Sequence, residues 1–408
     1  MTHFIIIGAG ECGARAAFAL REKGFDGAVT LIGTEPHLPY ERPPLSKHSL
    51  IEADQPKLVA DAATYAAADI HVLCGLTVER IDAGNKIIFL SSGESLDYDK
   101  LLLATGARPR PFPGTPDGAR RIRTLRSHAD ALAIRAVLTQ GKALAIVGGG
   151  FIGLELAATA RKLGVEVVLV EGLPRILSRG VPEEIAAVVA DRHHAEGVRL
   201  VCGTRIVGLE EDGEQARIRL ADGQIMHVDL IVVGIGALPN VALAEEAGLA
   251  IDNGIAVDAC LQTSDADILA AGDCCSFPLM HYGGRRVRLE AWRNAQEQGT
   301  LAAANMLGAG AAISAVPWFW SDQYDLTLQI AGLAEGAVTT VRREVGEGAF
   351  ILFHLDADGR LIAASGIGPG NAVARDIRLA EMMIAAGRHP DPKALAAPGT
   401  KLKALLAA

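Results

Sequence analysis

Aromatic residues make up only 4% of this 408-residue chain, and nowhere does it reach the roughly 18 uncharged apolar residues of a membrane-spanning helix. The longest candidate, residues 143–160, is interrupted by Glu155 and by several glycines, so no membrane partner is expected. A basic surplus is missing too. The formal net charge is −9, opposite to the balance of a nucleic-acid binder. The six cysteines (Cys12, Cys74, Cys202, Cys260, Cys274, Cys275) form no CxxC and no spaced pair of pairs, which argues against a zinc or iron–sulfur site in this chain. Cys274 and Cys275 are neighbours, a spacing that disfavours an unstrained disulfide, and both are expected as buried thiols. No basic leader precedes the first apolar strand, so a cytoplasmic protein is the expectation.

What the chain has instead is aliphatic residues and glycine, with half of its residues hydrophobic, a composition suited to layered α/β cores. Two glycine turns stand out. The first follows Phe4-Ile5-Ile6-Ile7 as Gly8-Ala9-Gly10-Glu11-Cys12-Gly13; the second follows Ala145-Ile146-Val147 as Gly148-Gly149-Gly150-Phe151-Ile152-Gly153. In such a turn the first glycine makes the bend, the second lets the backbone approach a pyrophosphate, and the third lets helix and strand pack closely. The pyrophosphate then rests on the positive end of the helix. A carboxylate roughly 20 residues on accepts a hydrogen bond from a ribose hydroxyl, and Glu35 and Glu171 stand there, each closing an aliphatic or β-branched run. Two dinucleotides are therefore expected, with electrons passing between them.

Strand and helix signals alternate from the amino terminus, with an amphipathic helix over residues 13–23 stopped by Gly24. Short strands follow to Leu101-Leu102-Leu103-Ala104-Thr105-Gly106, and the proline-rich residues 108–116 read as a linker. From Lys142 the plan repeats: strand, glycine turn, helix, strand, acid, then a polar helix over 183–196, hairpins, and a strand over 230–236. Ile268-Leu269-Ala270-Ala271-Gly272-Asp273 then returns the chain to the first domain. Beyond Pro317 the spacing becomes period two, with a hairpin tip at Asp358-Gly359 and two terminal helices around 372–386 and 392–406. The expected fold is α/β with two Rossmann-like dinucleotide-binding domains, one discontinuous (1–109 and 241–316) and one at 110–240, plus a carboxy-terminal α+β domain over 317–408.

In order along the chain, the two turns, Tyr40-Glu41-Arg42-Pro43-Pro44-Leu45-Ser46-Lys47, Ala104-Thr105-Gly106, Gly272-Asp273 and Trp318-Phe319-Trp320-Ser321-Asp322-Gln323 resemble the FAD-dependent, NADH-linked ferredoxin reductases. These serve bacterial aromatic-ring dioxygenases and cytochromes P450 on a glutathione-reductase-like fold. The resemblance implies that Gly8, Gly10, Gly13 and Glu35 hold the adenosine half of FAD and that Asp273 binds its ribitol chain. Arg42, Lys47, Val78, Ala104, Thr105, Gly106, Arg126 and Trp292 match further FAD positions. Taken alone, Arg42 and Arg126 would read as solvated surface arginines and Asp273 as an ordinary turn residue. Gly148, Gly150, Ile152, Gly153, Glu155, Glu171 and Gly236 form the implied NADH set.

Lys47 and Glu155 are the implied catalytic pair: a cation beside the flavin favours the negative charge that accumulates as hydride arrives. A structural ion pair is the plainer alternative. Glu171 favours NADH by accepting from the 2′-hydroxyl and repelling a 2′-phosphate, while Arg175 and Arg179 could soften that preference. Disulfide-reductase relatives place redox cysteines near the flavin, yet residues 41–49 contain none. The resemblance therefore implies one-electron delivery to an external [2Fe–2S] ferredoxin; the alternative is an NADH diaphorase or oxidase reducing a quinone, rubredoxin or dioxygen. Arg285, Arg286, Arg288 and Arg293 read either as a basic docking patch that steers an acidic ferredoxin or as an ordinary solvated hairpin. Trp320 reads as part of an electron exit path or as a core aromatic. Both a monomer and a homodimer remain open.

Overall fold

The computed structural model describes residues 1–52, 55–116 and 118–407 and divides into two compact units. The first comprises Met1–Glu41, Pro56–Arg108 and Leu238–Pro317; the second comprises Arg42–Gln55, Pro109–Ala237 and Trp318–Ala408.

The first unit is built on β1 (His3–Ile7), α1 (Glu11–Glu22) and β2 (Ala28–Gly33). Its five-stranded parallel sheet runs Ile268–Ala270, Lys100–Leu103, β1, β2, Ile70–Cys74. Continuous apolar runs are what a parallel sheet covered on both faces requires, and Ile5, Ile6, Leu101 and Leu102 are fully buried. Each such side chain contributes about 1.5–3 kcal/mol of burial. The helix Trp292–Met306 lies against α1, close enough that a Cβ on Gly299 would stand 2.5 Å from Cys12 O. Small side chains at Ala16, Ala19, Ala302 and Ala303, all buried, allow that approach.

The second unit repeats the plan with β3 (Ala143–Val147), α2 (Phe151–Lys162) and β4 (Glu166–Glu171). Its parallel sheet runs Arg199–Cys202, β4, β3, Leu230–Val233, Ile122–Arg123. The polar helix α3 spans Glu183–Ala195. Each unit also carries a three-stranded antiparallel meander, Val78–Asp82 with Ile87–Leu90 and Ser95–Asp97 in the first, Ile206–Asp212 with Gln215–Leu220 and Ile225–Val228 in the second.

Beyond residue 317 the second unit adds a five-stranded antiparallel sheet from β5 (Trp318–Gln323), β6 (Leu326–Gly332), β7 (Thr339–Gly346), β8 (Ala349–Leu355) and β9 (Leu361–Pro369), ordered β5-β6-β9-β8-β7. Its β5 packs on α2. The carboxy-terminal sheet thus falls in the same compact unit as the second nucleotide fold. The terminal helices differ from expectation: Ala374–Ala385 forms as one helix, but the last splits into Pro392–Ala396 and Leu402–Ala407. Pro398 offers no amide and disfavours helical backbone at residue 397, and Gly399 adds chain entropy, so the helix stops there.

Candidate active site

Both glycine turns are built the same way. In the first unit Gly8 N donates to Ile32 O at 2.8 Å and Ala104 N donates to Ile7 O at 2.8 Å. In the second, Gly148 N donates to Val170 O at 2.8 Å and Gly234 N donates to Val147 O at 2.7 Å. The bends need positive φ, +117° at Gly8 and +109° at Gly148, and a Cβ at either would overlap the carbonyl of Ala104 or of Gly234. A Cβ on Gly13 or Gly153 would likewise overlap the carbonyl of the first glycine of its turn. Only glycine therefore closes these turns.

Gly10 and Gly150 are the N-caps of α1 and α2, and neither helix start receives a side-chain cap. A Cβ on either would meet nothing within 4 Å. Helix amides facing open space with no side-chain acceptor fit a phosphate group, so each unit has the cradle that a dinucleotide requires.

The acids lie where each sheet ends. Glu35 follows β2 and accepts from Tyr40 Oη at 2.5 Å. Glu171 closes β4, its Oε2 accepting from Gly149 N at 2.7 Å and its Oε1 from Leu173 N at 2.8 Å. These two backbone bonds aim one carboxylate at the turn without any ligand. Nearby, the Arg175 guanidinium donates to the carbonyls of Ile176, Leu177 and Val181 at 3.0–3.2 Å. These bonds tie part of the Arg175 guanidinium to its own loop. Ile152 is exposed beside the turn and Gly236 adopts φ +106°.

Other expected FAD positions of the first unit gather at the sheet's carboxyl ends. Thr105 and Asn240 bond reciprocally, Thr105 Oγ1 donating to Asn240 O at 2.7 Å and Asn240 Nδ2 to Thr105 O at 2.8 Å, next to Gly106. Asp273 sits in the short 3-10 turn Gly272–Cys274, pinned through Gly272 N donating to Gln298 Oε1 at 2.7 Å. Trp292 opens its helix, and Val78, in the meander, is buried. Burial also pushes up the carboxyl of Glu11, which accepts from Gln296 Nε2 at 2.9 Å; nothing in the turn's spacing had marked it.

The second unit holds the remaining candidates. Arg42 donates to the main-chain carbonyl of Arg126 at 2.5 Å. Lys47 Nζ is 2.9 Å from Glu155 Oε2. Glu155 is 7% exposed, and a carboxylate so buried needs several partners. Ser46 Oγ donates to its Oε2 at 2.6 Å and Ser321 Oγ to its Oε1 at 2.7 Å. Thr159 holds the Ser46 carbonyl at 2.8 Å. Sequence reasoning missed Ser46 and Ser321 although both lie inside motifs it quoted; a serine's hydroxyl carries no signal of what it faces.

The arginine cluster is less free than its spacing suggested. Arg286 donates to Val257 O and Ser276 O at 3.0 and 2.6 Å, Arg288 pairs with Glu290 at 2.5 Å, and Arg293 pairs with Glu297 at 2.8 Å. Arg285 lies over the Tyr282 ring. Residues 283–297 keep a surplus of two positive charges. Trp320 is half-buried, stacked on Trp318 at 5.4 Å with its Nε1 donating to Asp322 at 3.0 Å. Cys12, Cys274 and Cys275 are buried and free, with burial pushing each thiol up, whereas Cys74, Cys202 and Cys260 are partly exposed. Among the described residues no cluster of metal-ligating side chains occurs, and no helix is long and apolar enough to cross a membrane.

With this geometry in place, comparisons with known proteins are specific. Residues 2–299 match the pyridine nucleotide-disulphide oxidoreductase family and residues 318–406 match the reductase C-terminal family. The chain is 43% identical over 409 residues to the ferredoxin–NAD(+) reductase component of the anthranilate 1,2-dioxygenase system of Burkholderia cepacia, covering 99% of each chain. It is 39% identical to putidaredoxin reductase of Pseudomonas putida, covering 87% of this chain and 86% of the relative. Among solved structures it superposes on the reductase in the covalent putidaredoxin reductase–putidaredoxin complex with a TM-score of 0.93 and 36% identity, covering 100% of this chain and 98% of that one.

Proposed function

The chain belongs to the pyridine nucleotide-disulphide oxidoreductase family, and from that premise we propose that it is an NADH-dependent, FAD-containing ferredoxin reductase. It passes electrons from NADH to a [2Fe–2S] ferredoxin that feeds an aromatic-ring-hydroxylating dioxygenase or a cytochrome P450. The observation that carries this reading is the pair of identically built glycine cradles in one chain, taken with full-length similarity to reductase components of such systems. FAD, when bound, accepts two electrons as hydride from the nicotinamide and releases them singly.

The residues of this chain supply binding, orientation and charge. The uncapped start of α1, with Glu35 and Asp273, suits a resident FAD, because the strand Ile268–Ala270 and its turn complete the same sheet as β1. The start of α2, with Glu171, suits NADH: the fixed carboxylate accepts from a 2′-hydroxyl and repels a 2′-phosphate. Lys47, held by Glu155, supplies a fixed positive charge where negative charge develops on reduction. The absence of cysteine from residues 41–49 leaves no thiol to receive the electron pair, which favours an outside one-electron acceptor. Arg285 and its neighbours are the surface that would meet an acidic ferredoxin, and Trp320 would line the electron exit path. The protein works in the cytoplasm on this reading, alongside its ferredoxin.

Purified holoprotein, mixed with NADH under anaerobic conditions, is expected to bleach its flavin band within one turnover, and to reduce a [2Fe–2S] ferredoxin at least tenfold faster than dioxygen or menadione. Equal or faster turnover with dioxygen or the quinone would instead establish the diaphorase alternative.

A further inference from the structure

Glu155 is the near end of a longer buried chain within the second unit. Ser321 Oγ, which donates to Glu155 Oε1 at 2.7 Å, lies 3.1 Å from Gln323 Nε2. Gln323 Oε1 is 2.8 Å from His193 Nε2 on α3, and the Tyr324 hydroxyl is 3.4 Å from His193 Nδ1. Ser321, Gln323 and His193 are all at least 96% buried.

The hydrogens in this chain can be assigned by elimination. A serine has one hydrogen to give, and the buried carboxylate of Glu155 requires it, so Ser321 must accept from Gln323 through the amide nitrogen. The amide oxygen of Gln323 then faces His193 and only accepts, so Nε2 carries the imidazole hydrogen. Nδ1 is left as an acceptor, and Tyr324 donates to it. Burial pushes the His193 pKa down, in keeping with a neutral ring. Every donor thus points the same way, from Tyr324 through His193, Gln323 and Ser321 to Glu155, an arrangement in which each bond polarises the next.

The far end is held under strain. Tyr324 and Asp325 form the two-residue turn between β5 and β6, and Tyr324 adopts φ +58°, a conformation that glycine or asparagine takes more readily. A tyrosine is kept there with its ring edge-on to His193 at 5.1 Å and beneath the Arg192 guanidinium. A carboxamide does not relay a proton without passing through its imidic form, so the chain orients and does not conduct.

We propose that Ser321, Gln323 and His193 are positioning residues for the proposed reaction, a buried hydrogen-bond chain from the carboxy-terminal sheet that fixes the Glu155 carboxylate and, through it, the ammonium of Lys47. The inference rests on the reading of Lys47 and Glu155 as the pair that assists flavin reduction. It assigns the carboxy-terminal sheet a part in nicotinamide chemistry, beyond packing and partner contact.

The test is a double-mutant cycle read by stopped-flow flavin reduction with NADH, alongside NMR of the histidine-labelled holoprotein. Ser321→Ala is expected to slow reduction roughly tenfold at unchanged NADH affinity and FAD content, and Gln323→Leu to do the same should the first variant fold poorly. In a Lys47→Met background Ser321→Ala should slow the reaction no further, because its effect passes through Lys47. The wild-type His193 ring should show an Nε2–H proton in slow exchange whose resonance moves in Ser321→Ala. If Lys47→Met slows reduction but Ser321→Ala does not, or if the two losses simply add, the positioning role is wrong while the Lys47 reading stands. An Nδ1–H tautomer would overturn it equally. An unchanged rate in Lys47→Met would overturn the reading on which the inference rests.

Discussion

At the residue scale, the most exacting demands fall on atoms that are missing. Gly13 lies in the first turn of α1, where alanine is intrinsically preferred by about 1 kcal/mol, yet a Cβ there would overlap Gly8 O and stand 3.1 Å from Leu31 Cδ1. The backbone carbonyl cannot move without opening the turn, so packing outweighs propensity. Gly13→Ala is expected to destabilise the first unit by about 1–3 kcal/mol and to release FAD, measured as a lower flavin-to-protein ratio after gel filtration and a lower Tm. Full FAD retention at wild-type Tm would show that the turn yields more easily than its geometry indicates. The spacing of these glycines was legible without a structure, because it answers to local backbone conformation. What Arg175 does was not: its three carbonyl partners lie in a loop whose path no motif encodes.

At the scale of elements, the carboxy-terminal sheet has a titrating group in its interior. His354 on β8 is 4% exposed, with Nε2 3.2 Å from Ser365 Oγ and Nδ1 3.3 Å from Thr340 Oγ1. Burial lowers its pKa from the usual 6.5 to about 4. The unfolded chain therefore takes up a proton at a higher pH than the folded one. The stability contributed by the neutral ring is complete above about pH 6.5 and is lost as pH falls towards 4, by up to about 3 kcal/mol. Urea midpoints measured from pH 7 to pH 4.5 should fall steeply for the wild type and less steeply for His354→Gln, which keeps a neutral hydrogen-bonding end. Parallel slopes would assign the acid sensitivity to other groups. The period-two pattern predicted strands beyond Pro317, and strands form; it could not show that β5 packs on α2, since that depends on Phe319 meeting Phe151 edge-on at 4.9 Å across the sequence. The expected single terminal helix forms as two for a local reason, the Pro398-Gly399 pair between them.

For the whole molecule, charge is the property that acts at a distance. The chain carries −9 overall, while residues 283–297 keep a small positive surplus after Arg288 and Arg293 pair with glutamates. If that segment steers an acidic ferredoxin, kcat/KM for ferredoxin should fall several-fold between about 20 mM and 500 mM salt, while the stopped-flow rate of flavin reduction at saturating NADH stays flat. Arg285→Glu should lower the low-salt value and flatten the dependence. A salt response unchanged by Arg285→Glu would place docking elsewhere.

The sequence by itself determined the two nucleotide cradles, their acids and the lack of a thiol in residues 41–49, because each is a matter of residue type at short spacing, where backbone geometry and side-chain chemistry are local. Tertiary structure alone decided what faces Glu155. Its serine partners stand 109 and 166 positions away, and a buried carboxylate is satisfied only by groups that folding delivers from such distances. The same holds for the arginines: sequence counts their charges, but only the folded chain fixes which of them already have carbonyls and carboxylates to hold.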